Sequence, residues 1–340
     1  MLWHHNPAGR DWRCSAAPTE VLAFHRGLAD YAPTPLREVP SLAAELGVGR
    51  LLVKDESQRL GLGAFKALGA WWAIHCAVQE HTGSLELVTA TDGNHGRAVA
   101  RMAAMLGLPA HVFVPDVISE RAVDAIRAEG ATVTVVPKSY DAAVAAAASV
   151  ATGNRVLIQD AAWPGYEVVP QRIVDGYSTL FREIVVEPDL VVVPMGVGSV
   201  AQAAVTHYRS CAAAPVVLGV EPERAACISA SLEADELVSV STGTTVMAGL
   251  NCGTPSTLAW PVLRAGLSAA VTVEEDEALS AERDLGAAGI SSGASGAATL
   301  AGLRAALAAG HREELGLTED STVVLISTEA SPEFGRHSAT

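Results

Sequence analysis

Four short segments combine residue types that catalysis uses. MGVGSVA (195–201) closes a β-branched run and opens a helical stretch. Backbone N–H groups freed by Gly196 and Gly198, with those of Val197, Ser199 and Val200, can converge there on an anion at a helix N-terminus. The same letters fit the dinucleotide fingerprint GxGxxA, and Glu221 stands where a ribose-binding acid belongs, so a nicotinamide site competes with a plain phosphate cradle. Lys66 in GLGAFKALG (61–69) follows mobile glycines and has Phe65, Ala67 and Leu68 around it. An apolar setting and a helix start both disfavour the ammonium and suit a nucleophilic amine forming a Schiff base; a lysine snorkelling at a helix start is the alternative. TDGNHG (91–96) offers Asp92 as a base and Asn94 as a partner for a cofactor oxygen, or else an Asp-Gly turn capped by Asn94. ISTEAS (326–331) ends the last β-branched run.

These loops need a scaffold that brings them together. Open α/β sheets hold ligands just past the carboxyl ends of their strands. Runs such as LELVTA, HVFVP, ATVTVVP, RVLIQD, DLVVVP, PVVLGVEP and STVVLIS read as buried strands. They alternate with helical stretches over 94–106, 119–128, 140–151, 200–209 and 295–309. The pattern predicts an α/β protein with parallel sheets. The length of 340 residues suggests about two domains. No Pro-, Ser- or Gly-rich linker parts two halves, so such domains are interleaved in sequence.

Composition removes other classes. Lys and Arg number 23 against 38 Asp and Glu, a net charge of −15 that repels nucleic acid and anionic membrane surfaces. Mean hydropathy is +0.27, yet polar residues, Gly or Pro break every apolar run before it could span a bilayer. The first residues, MLWHHNPAGRDWRC, lack the basic and apolar regions of a secretory signal, and a cytoplasmic protein is expected. The five cysteines are scattered and form no CxxC, and neither HExxH nor GxSxG occurs, so no metal site or hydrolase triad is indicated. His95 reads as orienting or structural, and Cys252 as part of a shaped loop.

Six motifs in order, VKDESQRLGLGAFKALGAWWA, TATDGNHGRAVA, IQDAAWPGYEVVP, MGVGSVAQA, MAGLNCGTPSTLAWPVL and ISTEA, resemble the diaminopropionate ammonia-lyase family. These are pyridoxal 5'-phosphate enzymes of the tryptophan-synthase-like fold type II. The resemblance runs from about Phe24 to the ISTEA segment. It implies two interleaved three-layer αβα domains with mostly parallel sheets: a large cofactor domain of 1–84 plus 165–340, and a small domain of 85–164 inserted in it. It implies that Lys66 carries the cofactor and that Asn94 meets its phenolic oxygen. Gly196, Val197, Gly198, Ser199 and Val200 would hold the phosphate, and Ser327 or Thr328 would face the pyridine nitrogen. Asp92 and Asp160 match the family's two catalytic aspartates. The implied reaction eliminates the β-amino group of 2,3-diaminopropionate, a small amino-acid substrate, in a homodimer. The chain departs from the family at Ala294, where a glutamate is usual, and at Ala330, where a glycine is. Those changes keep β-replacement or serine/threonine dehydration open as alternatives, with a non-catalytic relative further off.

Overall fold

The computed structural model describes residues 1–137, 140–211 and 214–331. Strands form in chain order at β1 (Trp3–His5), β2 (Leu36–Glu38), β3 (Arg50–Asp55), β4 (Glu86–Ala90), β5 (Ala110–Pro115), β6 (Thr132–Val136), β7 (Arg155–Leu157), β8 (Leu190–Pro194), β9 (Val216–Pro222), β10 (Ala269–Val273) and β11 (Thr322–Ser327). Among the described residues they make a seven-stranded sheet, β1-β10-β9-β8-β11-β3-β2, and a four-stranded sheet, β6-β5-β4-β7. The small sheet is parallel throughout. In the large one only the edge strands β1 and β2 run antiparallel to their neighbours.

Period-two alternation sends the side chains of each strand to opposite layers. Along β11, Val323 and Leu325 enter one core while Val324 and Ile326 enter another; along β8, Leu190 and Val192 part from Val191 and Val193 in the same way. In the small sheet Val88 and Phe113 pack on Ala143 and Ala147 of the helix Tyr140–Val150. Leu87, Val112 and Val114 instead join the core of Val324 and Ile326. That shared core also holds Leu68, Trp71 and Ile74 from the helix Lys66–Glu80, and Ile173 and Tyr177 from the helix Val168–Arg182. One continuous apolar mass thus fixes the two sheets against each other. Each fully buried aliphatic side chain in it contributes about 1.5–3 kcal/mol.

A second device holds the chain ahead of Lys66. Lys54, the penultimate residue of β3, points its Nζ to Glu183 Oε2 at 2.5 Å and to the Thr34 carbonyl at 2.7 Å. Arg59 Nη2 donates to Glu183 Oε2 at 2.7 Å, and its Nε donates to Glu56 Oε2 at 2.7 Å. These four side chains are between 0% and 3% exposed, so the network is a buried one. Burial works against the Glu183 carboxylate, but Arg59 and Lys54 together hold its pKa below the usual range. Among the described residues no helix is long and apolar enough to cross a membrane.

Candidate active site

The predicted strand ends converge. β4 and β7 of the small sheet, and β8 and β11 of the large one, deliver their following loops to one cavity of about 200 Å³. Lys66, Asp92, Asn94, Asp160, Gly196, Val197, Gly198, Ser199, Val200 and Thr328 all line it.

Lys66 starts its helix with its backbone pinned. Phe65 N donates to the Thr328 carbonyl at 3.0 Å and Ala330 N donates to the Gly63 carbonyl at 2.9 Å, so 63–65 and 328–330 run side by side. Lys66 Nζ donates to Asp160 Oδ2 at 2.5 Å. Burial disfavours the ammonium, as the sequence predicts, but the Asp160 carboxylate outweighs it and holds Lys66 charged, well above the ordinary lysine range. The expected depression is therefore reversed, because a partner 94 residues away supplies the compensating charge. Burial likewise pushes Asp160 up, and Lys66 and His95 bring it down to about 2.

Asp160 is placed by its neighbours. Gln159 Oε1 accepts from Ala90 N at 3.0 Å and its Nε2 donates to Tyr140 Oη at 2.7 Å, which ties the end of β4 to the turn after β7. The Ser199 hydroxyl donates to the Asp160 carbonyl at 2.7 Å. That hydroxyl thus braces the aspartate. His95 is anchored to the backbone: Nε2 meets the Ile158 carbonyl at 2.7 Å, and burial lowers the pKa of the ring.

Asp92 has the opposite balance. Burial raises it first, the Asp160 carboxylate adds to that, and Lys66 offsets only part, leaving its pKa raised to about 7. Two carboxyl groups in one cavity are thereby shifted in opposite directions.

The 196–198 loop follows β8 and caps the helix Ser199–Arg209 at Gly198, whose φ of +97° favours glycine. A side chain at Gly198 would not enter the cavity. Its Cβ would lie 2.9 Å from Ala259 Cβ and Leu263 Cδ1, against the neighbouring helix. At Gly196 the added atom would lie 3.1 Å from Cys252 Sγ and from the Gly249 carbonyl, which narrows the slot itself. Cys252 also lines the cavity, and burial pushes its thiol up, so it is not a thiolate nucleophile.

At the end of β11 the two hydroxyl candidates separate. Ser327 is fully buried and donates to Ser292 Oγ at 2.8 Å, away from the cavity, whereas Thr328 lines it. Of the two departures, Ala294 packs in the apolar core behind the site. Ala330 lies beside Gly63. Glu221 is buried at the start of the helix Cys227–Ala234, accepting from Ile228 N at 2.8 Å and Ser229 N at 2.7 Å. It is not among the cavity residues, so the nicotinamide reading loses its ribose acid.

Two wall residues escaped the sequence reading. Glu329 accepts from Asn94 Nδ2 at 2.6 Å, and burial raises its pKa even though Ser295 and Asn94 hydrogen-bond to it. Its signal was an acid directly after the Ser-Thr pair of a buried strand end. Tyr140 gave no such signal, because only the fold brings it to Gln159.

Comparison with known proteins identifies the family. The family described as pyridoxal-phosphate dependent enzyme matches residues 28–329. Diaminopropionate ammonia-lyase of Escherichia coli (strain K12) is 37% identical over 344 residues, covering 90% of this chain and 86% of that protein. The Salmonella typhimurium protein of the same name is 37% identical over 291 residues, covering 75% and 72%. The crystal structure of the Escherichia coli enzyme with an aminoacrylate-PLP azomethine reaction intermediate superposes with a TM-score of 0.87 at 32% identity, covering 97% of this chain and 94% of that one. The fold is that of the fold-type II pyridoxal phosphate enzymes. The chain belongs to the pyridoxal-phosphate-dependent enzyme family, among its diaminopropionate ammonia-lyases, and is a lyase that works with that cofactor.

Proposed function

We propose that the enzyme eliminates ammonia from 2,3-diaminopropionate and that the residues gathered in the cavity divide the work. The observation that carries this is the Lys66–Asp160 pair at 2.5 Å in one cavity with Asp92, whose pKa is raised to about 7.

The cavity's donor set fits pyridoxal phosphate. It offers an amine at Lys66, a glycine-flanked helix N-terminus where a Cβ at Gly196 would close the slot, a carboxamide at Asn94 and a hydroxyl at Thr328. Lys66 would hold the cofactor covalently, the 196–200 loop its phosphate, Asn94 its phenolic oxygen and Thr328 its ring nitrogen. Bound there, the cofactor supplies a conjugated ring that takes up the electron pair left at the substrate's α-carbon. A hydroxyl partner leaves that ring a weaker sink than a carboxylate would, which suits elimination over transamination.

Asp92, with its pKa near neutrality, accepts the α-proton from one face of the substrate, and Lys66 serves the other face. Asp160 holds the β-ammonium. Its affinity for such a group is supported by its pairing with the Lys66 ammonium. As the Cβ–N bond breaks, ammonia leaves, and the released enamine takes up water to yield pyruvate and a second ammonia.

The division into 1–84 plus 165–340 and an inserted 85–164 is supported by the small sheet, whose strands all lie within 86–157. A cytoplasmic location is consistent with five unpaired cysteines, and a homodimer with the family likeness. The test is pyruvate release from both enantiomers of the diamine and from β-chloroalanine. Asp92→Asn should slow one enantiomer far more than the other, and Asp160→Asn should raise KM for the diamine more than for β-chloroalanine. Equal losses throughout would reduce both aspartates to structural parts. Trapping of an added nucleophile would favour β-replacement.

A further inference from the structure

We propose that Glu329 fixes the orientation of the Asn94 carboxamide and through it sets the basicity of the cofactor's phenolic oxygen. The inference rests on the reading above, in which Asn94 is the partner of that oxygen.

An asparagine amide presents a donor at one end and an acceptor at the other, and its surroundings decide which end faces which neighbour. Asn94 itself is exposed on the cavity wall, so packing does not decide it. Glu329 does: Asn94 Nδ2 lies 2.6 Å from Glu329 Oε2, and an ionised carboxylate can only accept. Nδ2 is therefore the atom held, and it keeps one further hydrogen for a second acceptor. If the amide turned, its oxygen would face the carboxylate, and two acceptors would confront each other.

Glu329 can act as a fixed reference because its own backbone is tied down on both sides. Its carbonyl accepts from Gly293 N at 3.0 Å, and the next residue, Ala330, donates to the Gly63 carbonyl at 2.9 Å. The side chain passes over Gly293, where an added Cβ would lie 3.0 Å from Glu329 Cγ, so the glutamate occupies room that only a glycine leaves. The same short segment pins the backbone before Lys66 through Thr328. The covalent holder of the cofactor and the donor to its oxygen are thus registered to one strand end. Glu329 is a positioning residue in this scheme.

A phenolate that loses its donor becomes more basic and retains the proton it shares with the lysine nitrogen to higher pH. The experiment titrates the visible absorption of the pyridoxal phosphate holoenzyme against pH, and measures cofactor affinity by fluorescence, for wild type, Glu329→Gln, Glu329→Leu, Asn94→Ala and the Asn94→Ala/Glu329→Leu double variant. Glu329→Leu and Asn94→Ala should each raise the spectral midpoint by about half to one unit, and the double variant should match Asn94→Ala alone, because two residues acting through one contact are not additive. Glu329→Gln is isosteric and still accepts, so it should fold and shift less; it carries the test if the leucine variant does not fold. Additive shifts in the double variant, or unmoved midpoints with cofactor bound, would overturn the inference. A raised KM for the diamine with an unchanged spectrum would overturn it too, by making Glu329 a substrate contact. A wild-type protein with no visible band on adding cofactor would fail the proposed function first, and this inference with it.

Discussion

If Asp92 takes the α-proton, replacing Asp160 with asparagine changes the pH at which the enzyme works as well as its rate. A base must be ionised, so activity is present above its pKa and lost as pH falls through it. With the Asp92 pKa raised to about 7, burial is the larger cause and the Asp160 charge the next. The substitution leaves the burial and removes the like charge. That change lowers the pKa, and a neighbouring carboxylate moves such a group by about one unit or more. The ionised fraction of a group at about 7 is roughly a tenth at about pH 6 and nine tenths at about pH 8; at about 6 it is roughly a half and nearly all. Whatever its absolute loss, the variant's kcat/KM relative to wild type should therefore be about fivefold higher at about pH 6 than at about pH 8. Steady-state pyruvate release with the Asp92-dependent enantiomer gives that ratio. A flat or inverted ratio would refute the coupling, as would an acid limb that survives in Asp92→Asn.

Lys66→Ala should abolish the cofactor's visible band, and borohydride followed by peptide mapping should place the label on Lys66. Lys54 is fully buried and occupied by Thr34 and Glu183, so label found there would refute the assignment. Glu183→Ala leaves Glu56 as the one carboxylate facing the two buried cations Lys54 and Arg59, and should cost about 3–5 kcal/mol in denaturant unfolding. A loss below about 1 kcal/mol would mean that the network is not dry. Gly198→Val meets both a φ of +97° and contacts of 2.9 Å with Ala259 and Leu263, so it should destabilise the cofactor-free protein by about 2–4 kcal/mol. Unchanged unfolding with only weaker phosphate binding would locate its effect in the cradle instead.

The parts that the sequence reveals are those whose signal is local. β-branched runs bounded by Gly, Pro or Asp fall on β4, β5, β6, β8, β9 and β11, and the helix Asn94–Leu106 has the predicted bounds. RVLIQD was expected to be a strand as far as Asp160, but β7 ends at Leu157 and Gln159 turns to bind the end of β4. β1 and β2 are three-residue edge strands with half-exposed or exposed side chains, too short to show alternation. β3 hides behind its charges: Lys54 is buried because Thr34 and Glu183, both distant in the chain, take up its ammonium. The site divides in the same way. Lys66, Asp92 and Asn94 lie in recognisable loops, whereas the upward shift of Lys66 and the different positions of Thr328, on the cavity, and Ser327, behind it, depend on contacts across the fold.

The last strand among the described residues, β11, lies inside the large sheet, between β8 and β3, with one neighbour from each half of the sequence. A ribosome-bound chain that stops short of Thr322 therefore has β3 and β8 with facing edges unpaired, and no wall for Thr328 to build. Such edges invite pairing with other chains. Closing the cavity waits on contacts between residues more than a hundred positions apart, which slows folding. Cofactor that binds only the closed cavity would favour the completed sheet.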